Sequence, residues 1–230
     1  MMPFNPDMAV TAGVMAGCLV VTYLVCGIPF GFLFGELFGK GDIRQEGSGN
    51  IGTTNALRVG GKKMGALTLL CDVLKGAVCV AVSHMVIARF CDPSPVLLNP
   101  GQPCDWALSL VCAAGLAGHM FTPYLHFKGG KGIAVGFGVC IAWIWPVGLS
   151  LWIPFLVGVI LTRFVSVGSM LAAISLPFLI WFFYPTSSLA MKGIFAVMAV
   201  LVVWAHRSNI KKLLNGTESK LSLGSKKEGC

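Results

Sequence analysis

The chain has 230 residues, 56% of them hydrophobic and only 11% charged, with a mean hydropathy of +0.81. That balance excludes a water-soluble globular domain and places the polypeptide in a membrane. The net charge of +8 comes without a basic stripe interleaved with aromatic residues, so it reads as membrane orientation and not as nucleic-acid binding.

A helix needs about 20 apolar residues to cross the hydrocarbon core, and the apolar runs predict spans at 8–38, 65–90, 106–127, 132–145, 147–162, 167–184 and 189–205. The first run has no basic segment before it and is far longer than the apolar core of a signal peptide, so it is expected to be a retained span. The fourth and fifth divide one apolar stretch at Pro146, which makes either a hairpin or a kink. The basic residues choose the hairpin. Fourteen of the seventeen Lys and Arg residues follow odd-numbered spans, and a six-span count would carry Arg163 and the basic tail to the opposite side. The expected fold is an all-α integral membrane protein with seven transmembrane helices, its N-terminus outside and its C-terminus cytoplasmic. Residues 1–221 form one domain, and residues 222–230 form a short polar tail.

In chain order, Gly27, Gly31, Gly35 and Gly39 recur every fourth residue along the first span, a small-residue stripe suited to close helix packing. Pro29 and Glu36 predict that the end of this span is bent and polar. The first loop, GSGNIGTTNALRVGGKK over 47–63, reads as a nest of backbone amides for an anion, with Ser48 and Thr54 as hydroxyl donors and Arg58 as a phosphate clamp. A flexible turn with an orientation-setting arginine is the plainer alternative. The Walker spacing is missing.

In the second span, Asp72 and Lys75 stand three residues apart and are expected to face inward as a pair, since either charge alone in lipid costs several kcal/mol. They either orient the Ser48 loop or stabilise the bundle. Cys91 and Cys104 flank a Pro-rich external loop, where an oxidising compartment would permit a disulfide. Most of the remaining seven cysteines sit in apolar runs and read as core thiols.

GHMFTPYLHFKGGKGIAVG, residues 118–136, places Lys128 and Lys131 around two glycines just before a helix, where the N-terminal dipole favours an anion. Ordinary juxtamembrane lysines are the alternative. His119 and His126 read as structural. Ser166 and Ser169 open the sixth span as caps or as substrate contacts. HRSNIKKLLNGTE, residues 206–218, puts His206 and Asn209 on one helix face, for a polar substrate or as part of a solvated amphipathic helix. Glu218 reads as an ion-pair partner.

No zinc-type spacing joins the four histidines, and neither His-x4-Asp nor Gly-x-Ser-x-Gly occurs, so no metal site or hydrolase elbow is expected.

Taken together, GSGNIGTTNALRVGG, DVLKG, FKGGKGIAVG and HRSNIKKLLNGTE resemble the bacterial acyl-phosphate glycerol-3-phosphate acyltransferases over residues 22–221. The resemblance implies a seven-helix enzyme of the bacterial cytoplasmic (inner) membrane, with its site at the cytoplasmic face. It moves an acyl group from acyl phosphate to the 1-position of sn-glycerol 3-phosphate, giving lysophosphatidic acid and phosphate, and requires neither a cofactor nor an obligate protein partner. The resemblance assigns phosphate and glycerol contacts to Ser48, Arg58, Lys131, His206 and Asn209, with Ser48, His206 and Asn209 nearest the chemistry. Gly52, Thr54 and Asn55 shape the first loop against the substrate. Either His206 or a substrate phosphate takes the hydroxyl proton. Thr53 stands where the family often has alanine, and the loop from 90 to 105 is long for the family. A transporter or flippase for an anionic phosphate compound is the alternative; the chain shows no internal repeat to favour it.

Overall fold

A computed structural model describes residues 8–90 and 95–221. Cys91, half of the expected disulfide, lies outside the described residues. Among the described residues the regular structure is entirely helical: α1 (Met8–Gly27), α2 (Phe30–Leu37), α3 (Thr53–Phe90), α4 (Asp105–Met120), α5 (Ile133–Trp143), α6 (Trp145–Ser150), α7 (Trp152–Thr162), α8 (Val165–Phe183), α9 (Leu189–Ala205) and α10 (Arg207–Leu214), with short 3-10 turns between them. Five helical stretches are long and apolar enough to cross a membrane, and a sixth is added if α9 and α10, which meet at 49°, are taken together. At 11 residues, α5 extends only about 16 Å, which explains why counting apolar runs yields more spans than the helix lengths alone support.

α4 is the centre of the bundle. Leu108, Val111, Cys112 and Leu116 on it are fully or almost fully buried, packed with Val135 and Val139 of α5 and Phe195 of α9. The outer helices show the opposite pattern: Val21, Leu70, Ile160 and Phe182 are exposed, as a surface facing hydrocarbon requires. Helices approach closely where a glycine removes the side chain. A Cβ on Gly118 of α4 would overlap the Tyr23 carbonyl of α1, and one on Gly138 of α5 would overlap the Val73 carbonyl of α3, the small-residue packing expected between membrane helices.

Three departures from the apolar-run reading have physical causes. The first span breaks at Ile28 and Pro29, where α1 ends and α2 begins, because proline lacks an amide to continue the ladder. The glycine stripe beyond the break receives loop backbone and not a second helix: Gly31 lies under the Ile51 carbonyl and Gly35 under that of Gly41. The helix after the first loop starts at Thr53, twelve residues before the expected span, and bends back at Gly61, with φ 76° and ψ −171°. The break before α6 falls at Ile144, with φ −118° and ψ 56°, and Pro146 sits in the first turn of α6, where its missing amide costs nothing. There α6 folds back on α5, so tightly that a Cβ on Gly148 would lie 2.6 Å from the Ile141 amide.

Loops gather at two ends. At one end Gly101 and Ser188 donate to the buried Asp105 carboxylate, the Ser188 amide at 2.9 Å. At the other end the segments around Ser48, Lys131, Arg163 and Asn209 meet.

Candidate active site

The first loop is built around one side chain. Asn55, 1% exposed, donates from its amide to the carbonyls of Ile43 at 2.7 Å and Glu46 at 3.2 Å. Its Oδ1 accepts the Ser48 amide at 2.7 Å. The Gly49 amide reaches the Glu46 carbonyl at 3.1 Å, and the Gly52 amide reaches Asn50 Oδ1 at 2.8 Å. These amides serve the loop itself. The loop therefore presents side chains and the start of α3 to its surroundings, and not the open amide nest that its glycine content suggests.

The second turn is built on backbone. Gly129 and Gly130 donate to the carbonyls of Met120 and His119, both at 3.0 Å, and a Cβ on either would overlap the end of α4. Gly132, with φ 83°, then starts α5 without a side-chain cap. This leaves the first amides of α5 and its positive dipole end beside Lys131.

The tail closes the arrangement. Lys131 Nζ donates to Asn209 Oδ1. Asn209 Nδ2 and Ser166 Oγ both donate to Glu218 Oε1 at 2.7 Å, Leu221 N donates to the Arg163 carbonyl at 2.7 Å, and Arg58 Nη2 donates to the Ser219 carbonyl at 3.2 Å. Burial lowers the Lys131 ammonium to about 8; Glu218 opposes that shift, while Lys212 and Arg58 add to it. His206, just beyond the apolar end of α9, is 2% exposed. Its burial lowers the imidazole to about 4 against a raising hydrogen bond to Val202. That bond, Nδ1 to the Val202 carbonyl at 2.8 Å, requires the proton on Nδ1 because a carbonyl only accepts, so Nε2 keeps its lone pair.

Between these segments lies a cavity of ≈ 270 Å³. Ser48, Gly52, Thr54, Asn55 and Lys131 line its polar side, and Leu69, Phe137, Trp152 and Phe155 line its apolar side. Phe137 and Trp152 stack there at 4.5 Å. Asn209 joins this group through Lys131, whereas His206, buried, and Arg58, exposed, do not line the cavity. Sequence reasoning gave Glu218 and Ser166 lesser parts than the structure does. They are 52 residues apart, and no local pattern links them. Asp72 and His119 also reach the cavity wall, a placement set by the tilt of α3 against α4 that periodicity does not encode.

A membrane helix bundle with a polar, lysine-bearing pocket that becomes aromatic within one cavity is suited to amphiphilic anions. The glycerol-3-phosphate acyltransferase family matches residues 16–216. The chain is 42% identical over 202 residues to a glycerol-3-phosphate acyltransferase of Bartonella quintana, covering 88% of this chain and 89% of that one. It is 40% identical over 210 residues to one of Rhodopseudomonas palustris, covering 91% and 97%. The crystal structure of PlsY (YgiH), an integral membrane glycerol 3-phosphate acyltransferase in its glycerol 3-phosphate form, superposes with a TM-score of 0.78 at 30% identity, over 90% of this chain and 96% of that one. A second PlsY structure, the lysophosphatidic acid form, gives 0.75. The chain belongs to the glycerol-3-phosphate acyltransferase family and is a multi-pass membrane acyltransferase, so the transporter alternative falls away.

Proposed function

We propose that the chain transfers an acyl group from acyl phosphate to the 1-hydroxyl of sn-glycerol 3-phosphate, at the cytoplasmic face of a bacterial inner membrane. The observation that carries this reading is the single cavity with Lys131 and Ser48 at one side and Phe137, Trp152 and Phe155 at the other. Such a cavity matches a donor with a phosphate head and a hydrocarbon tail. Drawing a sixteen-carbon chain into water costs roughly 12 kcal/mol, at about 0.8 kcal/mol per methylene. The tail therefore enters sideways from the bilayer, and its head meets the polar turns at the interface.

In this reading Lys131 and Arg58 bind phosphate, Ser48 and Asn209 orient the glycerol phosphate, and the starts of α3 and α5 add their dipoles. The glycerol oxygen attacks the acyl carbon, the bond from that carbon to the phosphate oxygen breaks, and phosphate leaves with the electron pair. The hydroxyl proton passes to a phosphate oxygen of the substrates. Burial holds the His206 imidazole below its ordinary value, so in this reading His206 serves as a neutral binding group and the substrate phosphate, which titrates near 6 as a free monoester, takes the proton. Mixed anhydrides carry a good leaving group, and no covalent enzyme intermediate is needed.

Seven crossings follow if α5 and the α6–α7 pair are each counted as one, since the chain leaves the site end at Lys131 and returns to it at Arg163. The Lys- and Arg-rich end is then cytoplasmic. Purified protein in lipid vesicles, given acyl phosphate and glycerol 3-phosphate, should form lysophosphatidic acid without metal or coenzyme A, and acyl-CoA should not replace the donor. Absence of product from folded protein would refute the assignment.

A further inference from the structure

A buried ion pair at the edge of the cavity has no part in that chemistry. Lys75 and Asp72 are 6% and 2% exposed within α3. The Lys75 ammonium lies 2.7 Å from Asp72 Oδ1, donates at 2.7 Å to the Ile28 carbonyl and lies 3.1 Å from His119 Nδ1. An ammonium donates and cannot accept, so His119 Nδ1 accepts from it, and Asp72 is its ion-pair partner. Ile28 sits at the break between α1 and α2, where its carbonyl also accepts the Phe30 amide at 3.1 Å.

Each of the two outer partners leads to one polar turn. Three residues after Ile28, Gly31 lies so close to the Ile51 carbonyl that a Cβ would overlap it, and Ile51 sits inside the Ser48 loop. His119 accepts the Gly130 amide on its carbonyl at 3.0 Å, and its ring covers Gly130 where a Cβ would overlap Nε2. Lys75 holds the other side of that ring, so the ring has nowhere to swing.

We propose that Lys75, anchored by Asp72, is a positioning residue that sets the spacing between the Ser48 loop and the Lys131 turn, acting through Ile28 on one side and His119 on the other. It acts through these neighbours and makes no substrate contact. The role rests on the reading of Lys131 as a ligand of the glycerol phosphate.

The test is steady-state kinetics of the full chain in lipid vesicles, with kcat and the KM for glycerol 3-phosphate measured separately at saturating donor. Gly130→Ala should raise that KM at least about thirtyfold, and His119→Ala about tenfold, each with kcat within about threefold, the signature of lost ground-state binding. The double variant should be no worse than His119→Ala, because the missing ring leaves room for the new methyl. Losses that multiply in the double variant, or that fall on kcat with KM unchanged, would overturn the proposal. Lys75→Met alone strands Asp72 without a partner, so the charge-neutral pair Asp72→Asn with Lys75→Met is used instead. It should insert and show the raised KM, and a wild-type KM there would also overturn the proposal. Lys131→Ala separates the two levels. Near-normal kinetics in that variant would remove Lys131 from the site, whereas a severe loss in it together with multiplying losses in the double variant would defeat the positioning role alone.

Discussion

Two glycine-rich turns face the same cavity and hold their shapes by different means. In the first, Gly47 and Gly49 have φ of 61° and 73°, and the Asn55 carboxamide organises the backbone around them. In the second, Gly129 and Gly130 lie under carbonyls and a ring at the end of α4. Gly49 thus supplies conformation alone and Gly129 and Gly130 supply space, while Gly47 supplies both, since a Cβ there would overlap Asn55 Oδ1. A site where only conformation is at stake can absorb a methyl at a cost in strain, but a turn wedged against a helix end cannot.

The sharpest way to break that contrast is Gly129→Ala. Its Cβ would overlap the His119 carbonyl and lie 2.8 Å from that of Met120, both backbone atoms at the end of a packed helix. The turn must shift by roughly an ångström, and a misplacement of that size costs on the order of 100-fold in rate. The kcat/KM for glycerol 3-phosphate per folded molecule should fall by at least that much, while detergent-extracted protein remains monodisperse. A variant within threefold of wild type would show that the wedge does not position Lys131.

Asn55→Ala addresses the other turn. It strands the Ser48 amide, at about 1–3 kcal/mol if left unpaired, and removes one donor each from the Ile43 and Glu46 carbonyls, which keep the Glu46 and Gly49 amides. The expected result is a lower thermal midpoint and a drop in kcat/KM of between about tenfold and a hundredfold. Asn55→Asp restores the acceptor but not the donors, so it should recover only part of the loss. Equal behaviour of the two variants would mean that the carboxamide donors contribute nothing.

Much of this contrast was legible in the amino-acid sequence, though unevenly. Hydropathy revealed the membrane bundle, and the motifs marked Ser48, Arg58, Lys131, His206 and Asn209 as candidates, of which Ser48 and Lys131 line one cavity and Asn209 bonds Lys131. Glycine content alone, however, suggested an open amide nest in the first turn. Whether a glycine frees an amide or admits a neighbour depends on what packs against it, and for Gly129 that neighbour is a helix end nine residues earlier. The Glu218 link between Ser166 and Asn209 and the path from Lys75 to both turns depend on helix tilt, for which no local pattern exists. The number of crossings was the least readable feature, since α5 is apolar throughout yet ends after 11 residues.

A pH profile tests the charged member of the second turn. Lys131 titrates near 8 because burial disfavours its ammonium, so it carries charge below that pH and loses it above. The kcat/KM for glycerol 3-phosphate, which reports the free enzyme, should fall about tenfold per unit as pH rises beyond 8. A bound phosphate favours the charged form, so the decline in kcat should begin at higher pH. In Glu218→Gln the supporting carboxylate is gone, and the alkaline limb of kcat/KM should move to lower pH. Coincident limbs in wild type and variant would place the titrating group elsewhere.

The smallest effect belongs to Gly49→Ala and bears most directly on the contrast between the turns. At Gly49 the nearest atom to a new Cβ is the Arg44 carbonyl oxygen at 3.4 Å, an ordinary contact, so space is available and only the positive φ opposes the change. Holding an L-residue in the left-handed region costs about 1–2 kcal/mol. That cost should appear in thermal stability, while kcat and KM stay within about threefold of wild type, because the Asn55 hydrogen bonds still fix where Ser48 stands. If Gly49→Ala instead matched Gly129→Ala in lost activity, the first loop would be as tightly wedged as the second. The division between glycine for conformation and glycine for space would then fail.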